Sequence, residues 1–86
     1  MPLTSAQIRA ARALLRWSAE DLAQASDLGV ATIRRAELTE SETSLTAAND
    51  LAIRRALEAA GVEFIDENGG GPGVRLCKRS KEKSRK

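Results

Sequence analysis

Three helix-start signals crowd into the first 30 positions of the chain, and this spacing limits its fold more than any other feature. Thr4-Ser5-Ala6-Gln7 is a capping box. Thr4 stands at the N-cap and Gln7 at N3, where its side chain reaches back to the cap. Leu3 and Ile8 flank it at the positions of a hydrophobic staple. Ser18-Ala19-Glu20-Asp21 repeats the device, with Trp17 and Leu22 as the staple and acids suited to the positive end of a helix. Gly29 follows as a third N-cap, between Leu28 and Ile33. Helices that restart this soon are short, and each enters with an apolar residue on either side of its cap. The spacing predicts a tightly turned helical unit and excludes a long bundle.

The elements follow in order. Helix one runs from Ser5 to about Arg16, with Ile8, Ala11, Leu14 and Leu15 inward and Arg9, Arg12 and Arg16 elsewhere on the wheel. Helix two covers about Ala19 to Ala25, with Leu22 and Ala23 inward, and Ser26-Asp27-Leu28-Gly29 breaks it. Helix three runs from Val30 to about Leu38. Residues 39–44 read as a polar surface loop. Helix four starts at Thr46, carries Leu51, Ile53, Ala56, Leu57 and Ala60, and stops at Gly61. Val62-Glu63-Phe64-Ile65 and Val74-Arg75-Leu76-Cys77 alternate as strands about a glycine-rich turn at 66–73. Two strands this short are marginal alone and need a helix face or a second subunit beneath them. The expectation is an all-α class: a compact four-helix domain over 1–60, a small β-hairpin over 61–77 and a disordered basic tail over 78–86.

Composition narrows the chemistry. The chain has 86 residues, enough for a single domain with a thin core. Cys77 is its one cysteine and histidine is absent, so neither an internal disulfide nor a Cys/His metal site is possible. No metal or other cofactor is expected. A reducing, cytoplasmic home is, since no apolar run of about 18 residues spans a membrane and the N-terminus lacks the order of a secretory signal. The net charge of +2 hides an asymmetry: residues 78–86 carry six basic side chains against Glu82, leaving −3 on residues 1–77. The basic balance therefore belongs to the tail, and attraction of nucleic acid to the folded part must rest on local geometry. Glu20-Asp21 reads as first-turn capping chemistry, because adjacent helical residues do not face each other. Gly69 to Gly73 lacks the lysine and flanking helix of a phosphate-binding loop. Trp17 reads as a core staple and Cys77 as a bystander. No catalytic constellation is present, and no small-molecule ligand is evident.

The segment from Ser18 to Glu37 resembles the helix-turn-helix of the XRE family, the class of the phage repressor and Cro proteins. Leu22-Ala23, Leu28, Thr32-Ile33 and Glu37 match its pattern in register, and the resemblance extends over about residues 4 to 60. Asp27 stands where a glycine is usual, Gly29 where serine is common, and Ala36 for a larger aliphatic. Ala19 replaces a glutamine that often touches the phosphate backbone. The resemblance implies a lambda-repressor-like DNA-binding domain, with an ion pair between Arg12 and Glu37 bridging helices one and three.

On that reading Val30, Ala31, Arg34 and Arg35 face the major groove, because Ile33 and Ala36 face the core. Val30 and Ala31 suit thymine methyl groups, Arg34 a guanine edge, and Arg35 a base or a phosphate. Ser18, Ala19, Gly29 and Thr32 are the expected backbone contacts. The leading expectation is a dimeric repressor of transcription reading palindromic double-stranded DNA; 86 residues leave little room for an effector domain. Val62, Phe64, Ile65, Val74 and Leu76 are the expected dimer interface, the other possibility being that the hairpin only covers its own helix four. The competing functional reading keeps the fold but binds a protein, as an antitoxin or phage-type adaptor would, with the acidic body as the working surface.

Overall fold

Short helices joined by tight corners arise here from one residue serving two helices at once. The computed structural model describes residues 3–38, 45–66 and 69–77. In chain order these form α1 (Ser5–Leu15), α2 (Ala19–Ser26), α3 (Val30–Ala36), α4 (Ala47–Ala59), β1 (Val62–Ile65) and β2 (Gly73–Leu76). α1 opens on the capping box: the Thr4 hydroxyl accepts from the Gln7 amide at 3.1 Å, and Gln7 Oε1 accepts from the Thr4 amide at 2.9 Å. It closes at Arg16, whose backbone is left-handed at φ 59°. The Trp17 amide then donates to the Arg12 carbonyl at 2.9 Å and the Arg16 amide to Ala13 at 3.2 Å, a Schellman-type ending without glycine. α2 ends the same way at Asp27, φ 61°, with Leu28 donating to Ala23 at 3.0 Å.

Trp17 and Leu28 thus close one helix and precede the cap of the next. Both pack against the core. Apolar residues at these places fix exit and entry angles together, so each corner needs only three residues. α3 is shorter than expected and ends at Ala36, leaving Leu38 79% exposed.

The core gathers Leu3, Ile8 and Ala11 with Leu22, Ala23, Ile33, Ala36, Ile53, Leu57 and Val62. Leu14, expected inward, and Leu51 of α4 are 40% and 43% exposed. Leu14 lies six positions from Ile8 and Leu51 six from Leu57, about 120° around their helices, outside the narrow stripe that faces the core.

β1 and β2 pair antiparallel, matching Val62 to Leu76, Glu63 to Arg75, Phe64 to Val74 and Ile65 to Gly73. The two-residue period places Val62, Phe64, Val74 and Leu76 on one face. Val62 is buried, and Phe64 and Val74 pack against the helical core. Gln7, 5% exposed, donates from Nε2 to the Gly73 carbonyl at 3.1 Å and the Ile65 carbonyl at 3.5 Å. One side chain therefore closes the α1 capping box and fastens the hairpin. These contacts correct the expected class. The described residues are not all-α, although four helices followed by a C-terminal hairpin are present as expected. They form a mixed unit in which four helices and a two-stranded sheet share one core. The physical reason is that short helices leave part of that core uncovered, and the inner face of the sheet covers it. The tail at 78–86 and the loop at 39–44 lie outside the described residues.

Candidate nucleic-acid interface

α3 is held by its last turn. Three side chains of α1, recurring at helical spacing, reach the end of it. The buried Ser5 hydroxyl donates to the Ala36 carbonyl. Arg9 Nη1 donates to the Glu37 carbonyl at 2.6 Å. Arg12 grips the Glu37 carboxylate with Nε at 2.7 Å and Nη2 at 2.8 Å, and its Nη1 donates to the Trp17 carbonyl at 2.9 Å. Carbonyls at a helix end lack partners within the helix, and two arginines beside them also meet the negative end of its dipole. The Arg12–Glu37 pair is the least exposed ion pair among the described residues, at 23% and 9%. Its hydrogen bonds to Glu37 raise the Arg12 pKa above the ordinary value; burial opposes this, and the charges of Glu37 and Glu20 add to it.

Clamped there, α3 turns Ile33 and Ala36 inward and leaves Ala31, Arg34 and Arg35 exposed together on its outer side. Val30, expected among the base-reading residues, is half-buried and packs partly against the core. Gly29 caps the helix with no side-chain bond, and a Cβ added there would meet nothing within 4 Å, so the approach to the leading end is open. Thr32 is half-buried and its amide is taken by the Gly29 carbonyl at 3.0 Å. Ser18 is exposed, with its hydroxyl accepting from the Asp21 amide at 3.0 Å. Ala19 is half-buried against the core.

Two assignments change in the folded chain. Asp21 alone closes the α2 capping box, accepting from the Ser18 amide at 2.9 Å. Glu20 instead crosses to α3, where its Oε2 lies 2.6 Å from Arg34 Nη2. Of the expected dimer residues, Val62, Phe64 and Val74 serve their own core, because strand alternation points them at the helices. Ile65, half-buried on the opposite face, and Leu76, 41% exposed at the end of the inner face, are the two the core does not take up. Ser5, Arg9 and Gln7 carry contacts that spacing along the chain does not announce, since their partners lie 28 or more positions away.

No protein-family model matches the chain, and no curated protein does. Among the described residues no helix is long and apolar enough to cross a membrane, and no three His, Cys, Asp or Glu side chains gather as metal ligands would. What the outer side of α3 offers is two neighbouring guanidinium groups beyond a small-residue leading end. Arginine presents a planar fork that matches a guanine edge or a phosphate, and small residues let the helix backbone come close.

Proposed function

We propose that the protein binds double-stranded DNA sequence-specifically, with α3 as the recognition helix, and acts in the cytoplasm as a dimeric repressor of transcription. The observation that carries this reading is the division of α3. Its inner stripe and its C-terminal end are anchored in the fold, while Ala31, Arg34 and Arg35 project together beside the open space at Gly29. The XRE-like residues at the turn support it. Arg34 reads a guanine, Arg35 a base or phosphate, and Ala31 a thymine methyl. One unit presents few contacts, so two-fold pairing is needed for typical affinity, with half-sites about 34 Å apart. Ile65 and Leu76 belong to the pairing surface.

Selection of bound fragments from a genomic library tests the proposal. The wild type is expected to enrich a pseudo-palindrome above a salt-sensitive background. Arg34→Ala is expected to lose about 1–3 kcal/mol of discrimination at one base position of each half-site while keeping its melting temperature. Recovery of no preferred site by the wild type would refute the proposal.

One observation favours a second reading. Arg34 is already paired with Glu20, and residues 1–77 carry −3, so the acidic body away from the arginines of α3 suits a basic protein partner. Under that reading the wild type enriches no site, and salt weakens protein capture instead.

A further inference from the structure

We infer that Glu20 is a positioning residue that sets sequence discrimination through Arg34, an inference that rests on the DNA-binding reading. The capping box of α2 closes through Asp21, so Glu20 is not needed to start the helix. Its carboxylate meets Arg34 through a single Nη2–Oε2 contact of 2.6 Å, with both side chains about 60% exposed, at 60% and 62%. The contrast with Arg12 is informative. Arg12 is locked by Nε and Nη2 on one carboxylate and by Nη1 on a carbonyl. Arg34 gives Glu20 one Nη2 hydrogen and keeps the guanidinium edge on the other side of Nη2 for another acceptor. An exposed pair of this kind adds little to stability, so its consequence lies in what it does to Arg34.

On random duplex, the acceptor that Arg34 meets is a phosphate. Engaging it either breaks the contact with Glu20 or brings the carboxylate toward a second anion, and both oppose binding. On a cognate site the guanine edge is neutral and takes the other edge of the guanidinium, while Glu20 keeps one Nη2 hydrogen and holds the guanidinium plane. Glu20 therefore penalises backbone capture more than base recognition. It lowers non-specific affinity and steadies the specific contact.

The test measures affinity for the selected site and for a random duplex of equal length, at low and high salt, for wild type, Glu20→Gln, Arg34→Ala and the double variant. Glu20→Gln is expected to raise random-duplex affinity roughly two- to fivefold, the range of an exposed ion pair, and to lower the specific-to-random ratio by a similar factor. The change shrinks at high salt. Melting temperature stays unchanged, and in the Arg34→Ala background the effect of Glu20→Gln on the ratio disappears. An unchanged ratio in Glu20→Gln overturns the inference and leaves DNA binding standing. The same change with and without Arg34 also overturns it, since Glu20 would then act on phosphates by itself. A wild type that binds no duplex removes the DNA reading and this inference together, a result visible before any variant is made.

Discussion

Two Arg–Glu pairs of similar geometry make different contributions because they sit at different depths. Arg75 meets Glu63 with Nε and Nη2, both at 3.1 Å, across the outer face of the hairpin, where the side chains are 63% and 48% exposed. Hydrogen bonding from Arg75, then its charge, holds the Glu63 carboxyl below the ordinary range. A lowered carboxylate stabilises above its unfolded pKa, and that contribution is lost as pH falls through the folded value; here water screens it. Arg12–Glu37 is the opposite case, with the carboxylate side chain 9% exposed and the guanidinium tied to a carbonyl as well. Removing one partner strands the other, at about 3 kcal/mol by the lower end of the range for buried pairs, or roughly 12–24 °C in a chain this short. Glu37→Ala is therefore expected to lower the melting temperature by that order, and Glu63→Ala to leave it unchanged within error. Calorimetry on both at neutral pH decides, and equal shifts would show that depth is not the controlling variable.

At the scale of elements, the corners are the distinctive feature, and they carry strain. Arg16 holds a left-handed backbone that costs a non-glycine L-residue about 1–2 kcal/mol, whereas glycine there loses about 0.5–1 kcal/mol in chain entropy. Arg16→Gly should raise stability by up to about 1 kcal/mol, read as a higher urea midpoint with an unchanged slope, and Arg16→Val should lower it. The hairpin offers a second element-scale test. Gln7→Ala removes the bonds to Gly73 and Ile65 and the return bond to Thr4, leaving two half-buried carbonyls and the Thr4 amide without that partner, at about 1 kcal/mol, the lower end of the range for an unmatched buried group. Amide exchange in β1 and β2 should quicken more than exchange in α2. Uniform quickening would mean that Gln7 supports the whole fold equally.

For the whole molecule, helices and hairpin stand or fall together. A chain cut after Gly61 loses Val62 from the core and the covering of α1 and α4, so it is expected to melt far below wild type rather than yield a clean monomer. The pairing surface is better probed by Leu76→Asp, which alters an exposed side chain. Sedimentation should show a monomer that keeps its helical signal, and a persistent dimer would place the interface elsewhere. Deleting 78–86, with its net charge of +5, should flatten the slope of log affinity against log salt without changing the selected site.

What the sequence determined by itself was local. Caps at Thr4, Ser18 and Gly29, the staples beside them, and strand alternation at 62–65 and 74–77 (one residue past the strand that forms, Gly73–Leu76) all depend on residues within a few positions of one another, so spacing alone reveals them. Tertiary structure decided everything that joins distant positions. Ser5 meets Ala36 across 31 positions, Arg9 meets Glu37 across 28, and Glu20 meets Arg34 across 14. Which face the hairpin buries, and hence whether the chain is all-α or mixed, was decided in the same way. The Arg12–Glu37 pair was legible only through a family resemblance, because spacing along the chain does not specify it. The physical reason is common to all of these. A side chain's neighbours along one helix follow from 3.6 residues per turn, but its partner on another helix depends on how two bodies pack, which is set by the summed burial of the whole core.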